Sequence, residues 1–67
     1  MREWLKNIRV KYKFTQKDVA SKADISTQYY NFIETGQRRP SPEVAQAIAK
    51  VLNFDWTLFY SDDVQSA

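Results

Sequence analysis

Apolar residues recur at three- and four-residue intervals from Leu5 to Leu52, with polar residues between them. That spacing is helical. A first helix is predicted from about Arg2 to Lys11, with Leu5, Ile8 and Tyr12 on one face and Trp4 at its edge. Lys13-Phe14 reads as a short connection whose Phe14 plugs the core. Thr15 is a good N-cap, and Asp18 can reach back to it as in a capping box. The second helix, about Gln16 to Ala23, carries Val19, Ala20 and Ala23 on its apolar face. Asp24 falls where the chain must turn, and Asp tolerates a left-handed conformation. Ile25 follows as a buried anchor.

Ser26 then caps a third helix, Thr27 to Thr35, whose inward residues are Tyr30 and Ile33. Gly36 is free to take positive φ and stops it. After a polar loop, Gln37 to Pro40, Ser41 caps a fourth helix with Pro42 at its first position, where a missing N–H costs nothing. Its stripe is Val44, Ala45, Ile48, Val51 and Leu52, and Asn53 ends it in a left-handed turn. Asp55 caps a short fifth helix from Trp56 to about Tyr60. Residues 61–67 are polar and expected to fray. The fold class is all-α: one compact five-helix domain over residues 1–67, with no linker, repeat or low-complexity tract.

The second and third helices, their tight turn and their shared apolar face make a helix-turn-helix over about residues 16–35. The second helix of such a unit fits a DNA major groove. With Tyr30 and Ile33 inward, Ser26 and Glu34 flank them, and Gln28, Asn31, Phe32 and Thr35 point away. Gln or Asn can pair bidentately with adenine, and Thr or Phe can touch a thymine methyl. This helix has no Arg, so A/T-containing half-sites are favoured over guanine runs. Each polar residue taken alone reads as an ordinary solvated side chain. An outward Phe32 is poorly explained that way and points to DNA or a protein interface.

The chain resembles the phage-repressor and Cro type of helix-turn-helix protein, the xenobiotic-response-element (XRE) regulators of bacteria. The matching residues are Thr15-Gln16, Val19-Ala20, Ala23, Ile25-Ser26, Tyr30, Ile33-Glu34 and Gly36. Pro40-Ser41-Pro42 and the segment from Phe54 to Tyr60 also match, so the likeness spans roughly residues 2–60. Asp24 departs from the usual Gly, and Tyr30 from a smaller aliphatic residue. The resemblance implies a lambda-repressor-like domain. By position it makes Ser26, Thr27, Gln28, Asn31 and Phe32 the base-reading residues. It implies phosphate contacts at Gln16, Arg38 and Arg39, with Gln16 also bracing the first base-reading residue, and with Lys13 and Lys17 as weaker candidates. It also implies a partly buried ion pair between Arg9 and Glu34.

Charge supports a polyanion partner. The net charge is only +2, but residues 1–22 hold seven Lys or Arg against Glu3 and Asp18, a balance of +5. Residues 23–67 carry a balance of −3. A basic first third beside a helix-turn-helix suits DNA, although a basic run alone reads as a solvated face. A 67-residue chain buries only about 60% of its unfolded surface and is marginally stable. Without Cys or His, no disulfide or thiolate metal site is available, and the usual nucleophile–base pairs of an enzyme are missing. Asp62-Asp63 reads as a solvated pair rather than a metal site. No cofactor, metal or small-molecule ligand is expected. No apolar run spans a membrane and no signal-peptide core is seen, so a cytoplasmic location is expected.

Phe54, Trp56, Leu58, Phe59 and Tyr60 fall within seven residues, more than one short helix is expected to bury. Phe54, Trp56, Phe59 and Tyr60 are therefore candidates for a homodimer interface, with core filling as the alternative. The reading is a transcriptional repressor of phage or mobile-element type that binds double-stranded DNA, as a homodimer on a palindromic operator. The alternative is a helix-turn-helix protein-interaction module, such as an antitoxin or an antirepressor partner.

Overall fold

The computed structural model describes residues 1–61. Asp62-Asp63 and the rest of the expected frayed tail lie outside the described residues. Four helices, α1 (Glu3–Lys11), α2 (Gln16–Lys22), α3 (Thr27–Thr35) and α4 (Pro42–Leu52), are followed by a short helical segment, α5 (58–61). The described residues contain no strand.

The starts of α2, α3 and α4 follow from side-chain caps. The Thr15 hydroxyl accepts from the Asp18 N–H at 3.0 Å, and the Asp18 carboxylate accepts from the Thr15 N–H at 2.9 Å, closing the capping box. Ser26 accepts from the Tyr29 N–H and Ser41 from the Val44 N–H. Helix α1 has no side-chain cap. Its start is tied to α3 instead, where the Arg2 N–H donates to the Glu34 carbonyl at 2.8 Å.

All four longer helices end on a left-handed residue: Lys13 (φ 61°), Asp24 (φ 60°), Gly36 (φ 86°) and Asn53 (φ 58°). In each case the next N–H reaches back five residues: Phe14 to Arg9, Ile25 to Ala20, Gln37 to Phe32 and Phe54 to Ala49. This is the Schellman arrangement, which satisfies the last carbonyls and turns the chain sharply. Asp24 thus does the work of the Gly usual at that position. Gly36 takes φ 86°, which L side chains rarely adopt, while the Met1 nitrogen lies at ordinary contact distance, 3.4 Å, from where a Cβ would sit.

The core joins Leu5 of α1, Val19, Ala20 and Ala23 of the second helical turn region, Tyr30 and Ile33 of α3, Ala45, Ile48 and Leu52 of α4, and Phe59 of α5. Ile25 packs against this core while staying partly accessible. One expectation needs correction. Tyr12 is exposed rather than part of the α1 core face. Helix α1 stops at Lys11, so Tyr12 leaves with the turn and its ring stacks on Phe14, with centroids 6.2 Å apart. Ser61 closes α5, its N–H donating to the Thr57 carbonyl at 3.1 Å. The segment before α5 is an Asx turn, in which the Asp55 carboxylate accepts from both the N–H and the hydroxyl of Thr57.

The aromatic segment is largely absorbed by the core. Phe59 is 0% exposed. Its ring meets Trp4 edge-on at 5.2 Å and Phe54 at 5.7 Å, and Trp4 also meets Phe54 at 5.3 Å. Phe59 is therefore core and not available to a dimer partner. Trp4 supplies the second wall that a single short helix lacks. Leu58, at 41% exposure, is a large apolar residue of this segment that stays exposed.

Candidate nucleic-acid interface

Helix α3 is fixed from three sides. Tyr30 and Ile33 are fully buried. On one flank, Arg9 clasps Glu34: its Nε donates to Oε2 at 2.8 Å and its Nη2 to Oε1 at 3.1 Å. Arg9 Nη1 also donates to the Phe14 carbonyl at 2.8 Å. The Glu34 side chain is 2% exposed and that of Arg9 13%. This fork-to-fork geometry is the strong form of a charged hydrogen bond. On the other flank, Gln16 donates from Nε2 to Glu34 Oε1 at 3.1 Å, and its Oε1 accepts from Asn31 Nδ2 at 3.1 Å. A continuous chain of bonds therefore runs Arg9–Glu34–Gln16–Asn31, joining α1, α2 and the outer part of α3.

Burial raises the Glu34 pKa, but the hydrogen bonds from Arg9 and Gln16 and the Arg9 charge outweigh it, and the net shift is below the ordinary 4.5. Glu34 in turn raises the pKa of Arg9, burial opposing the shift. The Tyr30 phenol is held far above its ordinary value, by burial first and then by Glu34. Its buried hydroxyl has no hydrogen bond of good geometry. Asp18 and Asp55 are also lowered, mainly by the N–H and hydroxyl of Thr15 and of Thr57 respectively. A carboxylate whose pKa falls on folding stabilises the fold above its unfolded pKa. That stabilisation fades as pH drops through the folded value. The thermal midpoint is therefore expected to hold down to about pH 4.5 and fall below it. Glu34→Gln should flatten that fall, and an equally steep fall in the variant would remove Glu34 from the cause.

Each expected site residue has a definite place. Thr27 and Gln28 are exposed in the first turn of α3. Ser26 is exposed, with its oxygen engaged as the cap. Asn31 is partly buried and spends one of its two N–H groups on Gln16, leaving the other and its carbonyl oxygen. Phe32 is partly buried without joining the core cluster, so it is less outward than expected. Gln16 sits between α2 and α3, its side chain bridging them rather than projecting outward. Lys13, Lys17, Arg38 and Arg39 are exposed.

Arg2 is the residue that sequence reasoning misplaced. Counted in the basic balance of residues 1–22, it is only 6% exposed. Its Nη1 donates to the Ile33 carbonyl at 2.6 Å and to the Arg38 carbonyl at 3.2 Å, and its guanidinium lies 5.7 Å from the Phe59 ring centre. The only hint in the sequence was the lack of a capping residue before Glu3. Among the described residues, no cluster of metal-ligating side chains occurs, and no helix is long and apolar enough to cross a membrane.

Residues 5–59 match the helix-turn-helix family. The chain is 48% identical over 62 residues to YqaF of Bacillus subtilis (strain 168), an uncharacterized HTH-type transcriptional regulator, covering 92% of this chain and 82% of the relative. Two uncharacterized HTH-type transcriptional regulators of Archaeoglobus fulgidus are 36% and 34% identical over 53 residues, covering 79% of this chain and 76% and 75% of theirs. No solved structure matches the chain. The motif residues, the helical architecture and these relatives agree: this chain belongs to the XRE-type helix-turn-helix family of DNA-binding transcriptional regulators.

Proposed function

We propose that the chain is a sequence-specific repressor of phage or mobile-element type, which reads the major groove of an operator with α3 and works in the cytoplasm. The observation that carries this reading is the first turn of α3. Thr27 and Gln28 stand exposed on a helix whose opposite face is buried and whose flank is braced through Gln16. A reading helix needs that combination, because loosely held side chains lose entropy on binding. Ser26, Thr27, Gln28, Asn31 and Phe32 are the base-reading set. Asn31 keeps an N–H and an oxygen, enough for a bidentate pair with adenine. Arg38, Arg39, Lys13 and Lys17 are the phosphate set, with Gln16 acting mainly as the brace. Phosphate contacts give affinity and register rather than sequence choice.

Selection of bound sequences from a random duplex pool supplies the test. A single preferred motif is expected. Gln28→Ala should then cost about 1–3 kcal/mol on that motif and relax preference at one base pair. Unchanged discrimination at every position would remove Gln28 from the reading set, and binding of all duplexes alike would refute a sequence-specific repressor.

A homodimer on a palindromic operator belongs to the same proposal. One short recognition helix reads too few base pairs to select a site among many competitors. Two copies related by a dyad would set their helices about 34 Å apart, one DNA turn. With Phe59 buried, the contact surface in this segment narrows to Leu58 with the partly exposed Phe54, Trp56 and Tyr60. Two protomers per selected operator are expected, and Leu58→Glu should weaken operator binding while sparing binding to a half-site. One protomer per non-palindromic site would sink the dimer.

A further inference from the structure

Arg2 stands apart from the other cations of the basic first third. Its two carbonyl partners lie 31 and 36 residues away, one in the last turn of α3 and one in the loop after it. The Arg38 peptide is thereby held at both ends. Its N–H donates to the Phe32 carbonyl at 3.1 Å, and its carbonyl accepts from Arg2 at 3.2 Å. The same loop is pinned further on, where Pro40 is fully buried and the Tyr60 hydroxyl donates to its carbonyl at 3.4 Å.

We propose that Arg2 is a positioning residue for the loop that carries Arg38. It locks the Arg38 peptide against the end of α3, so that the Arg38 side chain is presented to the DNA backbone at a fixed offset from the reading helix. This rests on the assignment of Arg38 as a phosphate contact. The chemistry suits Arg. Its planar fork reaches two carbonyls at once, whereas Lys is a point charge on a flexible stem. A cation is also favoured at a helix C-terminus, where carbonyls point outward. Arg2 is itself too enclosed to reach DNA, so its influence on binding passes through Arg38. A loop held in place before binding loses less freedom on contact.

The test compares the native chain, Arg2→Lys, Arg38→Ala and the double variant for binding to a random-sequence duplex over a series of salt concentrations. Circular dichroism corrects each affinity for the folded fraction. Arg38→Ala is expected to lower the slope of log affinity against log salt by about 1. Arg2→Lys is expected to lower it by a similar amount although Arg38 is still present, and to change nothing further in the Arg38→Ala background. An unchanged slope in Arg2→Lys overturns the positioning role. So does an additive loss in the double variant, which would put residue 2 on a phosphate of its own. An unchanged slope in Arg38→Ala overturns the phosphate assignment, and the inference falls with it. A measurement on the native protein removes dependence on folded variants. The Arg2 guanidinium N–H signals should stay protected from solvent exchange both free and DNA-bound, and their loss on binding overturns the proposal.

Discussion

Phe59→Ala is expected to destabilise the domain by about 3–5 kcal/mol, the range for truncating a fully buried aromatic residue. A chain of this length has a total stability of about 3–10 kcal/mol, so the variant should be partly or wholly unfolded at 37 °C. The large effect follows from what the ring touches. It closes a three-ring cluster with Trp4 and Phe54 and carries the Arg2 guanidinium on its edge of the core. Truncation opens a cavity between α1 and α5 and removes a cation–π partner from a buried charge. Thermal unfolding followed by circular dichroism gives the result, with a drop of more than about 12 °C expected. The control is next door: Leu58→Ala, at an exposed site, should stay within about 0.5 kcal/mol. Equal, small effects at both positions would mean that α5 does not dock as described.

The second large effect concerns Arg9 and Glu34. Removing one member of a buried pair leaves the other charge unpaired and costs about 3–5 kcal/mol. Glu34→Ala should fall at the lower end, because Arg9 retains some exposure and its bond to the Phe14 carbonyl. Replacing both members is a different experiment. Arg9→Met with Glu34→Leu takes both charges out and fills similar volume, so stability should return close to the native value, since apolar replacements of buried pairs are often neutral or better. Operator binding should not return with it. Glu34 is what Gln16 donates to, and Gln16 is what holds Asn31, so the double variant has a stable core with an unbraced reading face. Urea unfolding and operator affinity measured on the single and double variants separate the two. A double variant as unstable as Glu34→Ala would show that the pair does more than satisfy its own charges.

The structure also revises the electrostatic footprint. Arg2 and Arg9 are among the seven cations of the first third, yet one is buried and the other is paired with Glu34. The exposed positive charge in that third comes from lysines, with Lys11, Lys13, Lys17 and Lys22 exposed. Lys13 owes its placement to the left-handed end of α1, which projects it at the corner before α2.

The sequence by itself determined the features that depend on residues within about four or five positions of one another. The Thr15–Asp18 capping box, the Ser26 and Ser41 caps, and the left-handed stops at Asp24, Gly36 and Asn53 are local chemistry, legible without a partner in space. The 3.6-residue period likewise separated Tyr30 and Ile33 from Thr27 and Gln28, and so the buried face of α3 from its exposed one. Three things were decided only by tertiary structure. Trp4 and Phe54 enclose Phe59, which makes that ring core. Gln16 lies between Glu34 and Asn31, two partners on another helix that its own helix does not name. Arg2 meets carbonyls 31 and 36 residues away, which made a surface cation into a buried clamp. The reason is common to all three. Periodicity and caps say which way a side chain leaves its own helix, but what it meets there depends on where distant helices are packed. No short-range pattern encodes that placement.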